Sequence, residues 1–215
     1  MVNETKAKRG RPRLGPSDVI AAKMSIIAAA AQVYERDGGD APIEEILKTA
    51  GISRATFYKH FSSKVALLEA MLEYGSETML TAVERAAQGP DDLVERIDAG
   101  IRTFLSFHSL QPGVRRVLLA AALPPGTRLH EIRNRSLDRF AALLASEVER
   151  AGRAPVSPVV YQALIAAVEG TSIRMLRRDG DFDAVVIEEA RAALVRIISA
   201  TLSAEGEIIP PLPPV

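Results

Sequence analysis

Apolar residues recur along this chain at steps of three and four. Ile20, Met24, Ile27, Ala31 and Tyr34 follow one another at such steps and define one face of a first helix. Ser17 is placed to cap that helix, Asp18 suits its first turn, and Gly38-Gly39 stops it. A short helix is predicted over 42–49, opened by Pro42 and made amphipathic by Ile43, Ile46 and Leu47. After Gly51 a third helix is predicted over 53–60, with Ser53 as its cap. Ser62 and Ser63 offer a cap for a fourth, in which Leu68, Leu72, Gly75, Met79 and Val83 share a face and Gly89-Pro90 is the stop. Longer helices are predicted over 91–109, 112–123, 128–151, 158–178 and 183–203, separated by clusters of Pro, Gly and Asp. Strand-like alternation is hard to find, so the fold class is all-α.

The two ends break the pattern. Residues 1–15 are polar and basic, with Lys6, Lys8, Arg9, Arg11 and Arg13 interrupted by Gly10, Pro12 and Gly15. This reads as an arm that is disordered when free. Residues 206–215 contain four prolines and read as an extended tail. The predicted organisation is an arm over 1–15, a small helical unit over 16–64, a larger helical body over 65–205 and the tail over 206–215.

Charge sharpens this division. The chain of 215 residues is neutral overall, with 27 basic and 27 acidic side chains. Residues 1–64 nevertheless carry 11 basic and 7 acidic groups, and no Lys follows Lys64. A basic front end points to an anionic partner, with nucleic acid or a membrane surface as the usual candidates. Hydrophobic residues make up 47%, enough for a sizeable core. The absence of Cys excludes disulfides, thiolate chemistry and Cys-ligated zinc, and is compatible with a reducing compartment. Neither a secretory signal nor an uninterrupted apolar run of spanning length is found, so a cytoplasmic protein with no membrane partner is expected.

The segment from Ile43 to Phe61 carries the chemistry. Two short helices joined at Gly51 fit a helix-turn-helix: Ala50 is small where the helices cross, Gly51 gives the turn its freedom, and Ile52 is an apolar plug. Here the sequence resembles the TetR family of transcriptional regulators. The likeness runs from about Lys23 to Leu68, through Ile26-Ile27, Ala29-Ala30, Val33-Tyr34, Gly38, Ile43, Ile46, Ala50-Gly51-Ile52-Ser53, Thr56-Phe57-Tyr58, His60-Phe61, Ser63-Lys64 and Leu67-Leu68. Leu47 and Val65 depart from it, at positions of packing and capping.

The resemblance implies roles for single residues. Arg54, Ala55 and Thr56 would face base edges or nearby phosphates, with Arg54 the best placed in chemistry for bidentate readout of guanine. Tyr58 and His60 would reach phosphates, although plain surface is the alternative for both. Lys64 would hold a phosphate at the start of the fourth helix. Phe57 and Phe61 read as core. In the arm, Arg9-Gly10-Arg11-Pro12 resembles the core of an AT-hook, so Arg9 and Arg11 would enter a minor groove; the alternative is a solubilising tail.

The body shows no nucleophile elbow, phosphate loop or His pair at ligand spacing, so no catalytic residue, metal or cofactor is assigned and an enzyme is not expected. The resemblance implies a body that binds a small-molecule effector and forms a homodimer on double-stranded DNA. A pocket among the middle helices would be lined by Phe104, Phe107, His108, Leu118, Phe140, Tyr161 and Met175, with Arg102, Arg174 and His108 as polar candidates. Ordinary core packing is the alternative for each. A dimer face is expected on the last two helices, at Leu164, Val168, Gly170, Thr171 and Met175 and at Val186, Ala190, Leu194, Ile197 and Thr201. The implied function is a repressor released from a palindromic operator by its ligand. The alternative is a ligand-independent DNA-binding or nucleoid-associated protein.

Overall fold

The computed structural model of the chain describes residues 16–176, 184–203, 206 and 208. The arm with Arg9 and Arg11, and most of the Pro-rich tail, lie outside the described residues. The described residues form nine helices: α1 Pro16–Asp37, α2 Ile43–Ala50, α3 Arg54–His60, α4 Lys64–Ala87, α5 Leu93–Ser109, α6 Pro112–Ala122, α7 Arg128–Arg150, α8 Pro158–Leu176 and α9 Ala184–Leu202. The predicted all-α class holds.

Local chemistry sets most helix starts. Ser53, Ser63, Asp92 and Thr127 each accept a hydrogen bond from a backbone N–H in the first turn of α3, α4, α5 and α7. Ser17 lies inside α1 and not at its cap, since α1 already includes Pro16; Pro suits a first turn, where its missing N–H is not needed.

Two cores form. The front core joins Ile26, Val33 and Tyr34 of α1 to Ile46, Phe57 and Phe61 and to Leu67, Leu68 and Met71 of α4. Val114 and Ala122 of α6 belong to it too, although they are distant in sequence. The larger core joins Met79, Leu80 and Val83 of α4 to α5, α7, α8 and α9 around Phe104, Phe140, Leu164 and Leu194. α4 thus runs through both, and α6 of the body packs on α1 of the front. α8 is long and apolar enough by composition to cross a membrane. Here it packs into the larger core through Tyr161, Leu164 and Val168.

The α1–α6 contact is close. The Glu35 carboxylate accepts from Val114 N–H at 3.0 Å, satisfying one open donor at the start of α6. Only a glycine fits at 113, since a Cβ there would lie 2.8 Å from the Glu35 backbone oxygen.

Candidate nucleic-acid interface and effector cavity

The turn between α2 and α3 is held by backbone geometry. Gly51 has φ 64° and ψ 33°, in the left-handed region that suits glycine. Ile52 N–H donates to Leu47 O at 3.0 Å, closing the end of α2. Ser53 then starts α3 by accepting from Thr56 N–H at 3.1 Å. Phe57 is fully buried and Phe61 nearly so, which anchors α3 by its inner side. The outer side presents Arg54, Ala55, Tyr58 and Lys59, all exposed.

Arg54 is exposed but occupied, pairing with Glu44 of α2. Thr56 is half-buried, and its hydroxyl lies 2.9 Å from Ser53 Oγ in the cap. Tyr58 stands half out of the surface with its ring edge-to-face on Phe57. His60 is half-buried and its Nδ1 has no hydrogen-bond partner. Lys64 is more engaged than expected. Its ammonium donates to Gly39 O at 3.0 Å and Ala41 O at 2.8 Å and lies 5.5 Å from the centre of the Tyr34 ring. It braces the α1–α2 turn against α4 and retains one of its three N–H groups for another partner. The Tyr34 hydroxyl beneath it is buried without a partner, and burial pushes its pKa up to about 12.

Behind this surface lies a cavity of about 650 Å³, bounded by α1, α4, α5, α6 and α7 and reached by Glu169 of α8. Its walls are mostly apolar. Its charged groups are Arg115, Arg133 and Glu169. Arg133 Nε donates to Glu169 Oε1 at 2.7 Å, and its Nη2 pairs with the other carboxylate oxygen. Arg115 Nη2 donates to Ser172 Oγ at 2.8 Å, while its Nε is buried without a partner. Burial pushes Arg115 down to about 10; Glu169 opposes that shift and Arg133 adds to it. His108 also lines the cavity, buried, with an unpartnered Nδ1. Burial first, and the charge of Arg115 second, hold its pKa well below 6.5, so the ring is neutral near pH 7.

Comparison with known proteins decides the family. Residues 26–71 match the family described as bacterial regulatory proteins, tetR family, and residues 92–197 match the tetracyclin repressor-like C-terminal domain. The nucleoid occlusion factor SlmA of Vibrio campbellii is 31% identical over 163 residues, which span 72% of this chain and 83% of that protein. The chain belongs to the TetR family. It is therefore a DNA-binding regulator and not an enzyme. SlmA of Aliivibrio fischeri is 29% identical over the same shares. Among solved structures, a TetR-family regulator from Pectobacterium atrosepticum has TM-score 0.68 at 17% identity, covering 87% of this chain and 97% of that one. The fatty acid degradation regulator FadR from Bacillus halodurans has TM-score 0.67 at 16% identity, covering 86% and 97%. At these identities the two structures show a shared fold.

In this TetR-family chain the structure brings together Phe104, Phe107, His108, Leu118 and Phe140 around the cavity. The other four pocket candidates lie elsewhere. Arg102 is exposed and pairs with Asp98 one turn away, at 2.8 Å. Arg174 is exposed at the end of α8. Tyr161 is buried in the larger core, its hydroxyl accepting from Val156 N–H, and Met175 packs against that core. Sequence reasoning missed Arg115, Arg133 and Glu169, which sit on three different helices with no local spacing to connect them.

Part of the expected dimer face is core. Leu164, Val168 and Leu194 point into the larger core. Away from that core, apolar residues at steps of three and four are Val159, Ala163 and Ala166, exposed, and Gly170, half-buried, on α8, and Val186, Ala190 and Ala193, half-buried, and Ile197, exposed, on α9, where Val185 is exposed as well.

Proposed function

We propose that this regulator is a homodimeric repressor whose hold on a palindromic operator is released by a small molecule bound in the 650 Å³ cavity. The cavity carries the reading. It falls within the roughly 300–1,000 Å³ of small-molecule sites and has apolar walls with few polar groups, as such sites do. Its walls include Ile27, Ala28 and Ala31 of α1, which also builds the front core. A ligand there touches the DNA-binding unit directly.

In this reading residues 16–64 bind DNA, residues 65–205 bind ligand and dimerise, and the arm over 1–15 adds minor-groove contacts through Arg9 and Arg11. Arg54 reads a base edge after parting from Glu44. Ala55 and Thr56 face bases or nearby phosphates. Tyr58, His60 and the free N–H of Lys64 meet phosphates, with exposed Lys59 as a further contact. The outward stripes of α8 and α9 meet their symmetry mates, which sets two recognition helices about one DNA turn apart. Ligand binding shifts α4 and α6, and through Glu35 and Gly113 it shifts α1. To release DNA the ligand must bind the DNA-incompetent state more tightly; a coupling of about 1–3 kcal/mol lowers operator affinity roughly 5- to 150-fold.

The test is selection of duplexes from a random pool by the full chain, followed by screening small molecules for release of the selected operator. Two symmetric half-sites and a releasing molecule support the reading. The relatives named nucleoid occlusion factors favour a second one, a DNA-binding protein that acts without an effector. Under it, specific duplexes are selected and no cavity ligand changes their affinity.

A further inference from the structure

The cavity encloses an unbalanced charge. Of its three charged groups, Arg133 and Glu169 neutralise each other through two hydrogen bonds. That leaves Arg115, half-buried, with no carboxylate in direct contact, although Glu169 acts on it through space. Among the described residues its hydrogen-bond partner is the neutral Ser172 hydroxyl. Buried charges are ordinarily paired, since an isolated one loses its hydration without compensation. His108 nearby does not add a second charge, because it is neutral near pH 7. The cluster thus keeps one net positive charge beside apolar walls, and an anion entering the site would balance it.

We infer that the effector is an amphiphile bearing one carboxylate, its head group on the guanidinium of Arg115 and its apolar body among Phe104, Phe107, Leu118 and Phe140. The inference rests on the cavity being the effector site. A carboxylate matches the planar donors of a guanidinium, and the charged hydrogen bond is stronger than a neutral one. His108 can donate its single N–H to the same head group. Placed on Arg115, the ligand also sits one residue from Val114, whose N–H holds Glu35 of α1.

The experiment uses the full chain and probes of one length and three charges: decanoate, decanol and decylammonium, titrated calorimetrically below micelle formation. A second pair, 2-naphthoate and 2-naphthol, allows for a cavity shaped for rings. The expected result is anion binding about 10- to 100-fold tighter than the neutral partner in at least one series, with the cation weakest. Arg115→Met should lose most of the preference for the anion over its neutral partner; Arg115→Lys should keep part of it. Thermal melts of both variants check that they fold. Equal affinity for acid and alcohol, or a preference unchanged in Arg115→Met, overturns the anion assignment and leaves an effector site of another chemistry. Failure of every probe to bind overturns both the assignment and the effector reading.

Discussion

One chemical change, Gly→Ala, should act with opposite sign at two places in this fold. At Gly113 the added Cβ would lie 2.8 Å from the Glu35 backbone oxygen, 2.9 Å from its Cα and 2.9 Å from its carboxylate, where ordinary contact begins at 3.4 Å. The first two atoms are backbone of α1, so α1 and α6 must separate by about half an ångström. Overpacking of this kind costs about 1–3 kcal/mol. The Glu35 to Val114 bond lengthens from 3.0 Å as well, forfeiting part of a charged hydrogen bond of about 1.5–3 kcal/mol. The helix propensity of Ala returns at most about 1 kcal/mol. Gly113→Ala should therefore destabilise by about 2 kcal/mol, or roughly 4–8 °C in Tm for a chain of this length. Gly75 lies inside α4 and a Cβ there meets nothing within 4 Å. Gly75→Ala should stabilise by about 1 kcal/mol, or roughly 2–4 °C. Melts of the three proteins at one concentration decide the matter. A Gly113→Ala melt at or above wild type would refute the tight α1–α6 contact, and with it the route from cavity to DNA.

Three further outcomes are expected. His108 is held neutral by burial, so as pH falls below 6.5 the unfolded chain takes up a proton that the folded chain refuses. Stability should fall there by up to about 1.4 kcal/mol per pH unit, and His108→Leu should flatten that slope in denaturant titrations at pH 7, 6 and 5. Glu44→Ala removes the partner of Arg54 and a negative charge from the recognition surface; affinity for random duplex should rise several-fold at low salt and the gain should fade as salt increases. Ile197 is half exposed on the outward stripe of α9. Ile197→Arg should yield folded monomer in analytical ultracentrifugation and weaken operator binding; an unchanged sedimentation profile would move the dimer face elsewhere.

Much of the fold was legible because its signals are local. Gly51, Ser53 and Ser63 mark a turn or helix starts through their own backbone chemistry, and the predicted helices differ from the observed ones mainly by a residue or two at their ends. The helix α3 was legible for the same reason. The charged cluster of the cavity was not. Arg115 is followed by Arg116, and nothing local says that the first faces the cavity while the second is exposed. Arg133 and Glu169 meet across α7 and α8 from 36 positions apart. Arg102 had a usable contrary signal, since Asp98 four residues earlier suits an exposed ion pair. On α8 two of the residues expected on a dimer face, Leu164 and Val168, lie in the core. That helix is apolar on nearly every side, so periodicity alone does not tell the face in the core from the face left uncovered.

The central claim is sequence-specific binding of DNA through α3. Its most direct test is fluorescence anisotropy of the full chain on a selected operator and on a scrambled duplex of equal length, each at 50 and 200 mM salt. The account predicts operator binding about 10³-fold or more tighter than scrambled binding, with both falling steeply as salt rises. It also predicts that Arg54→Ala narrows the gap between the two duplexes, whereas Tyr58→Phe weakens both alike. Equal affinity for operator and scrambled DNA, or a gap untouched by Arg54→Ala, would contradict it.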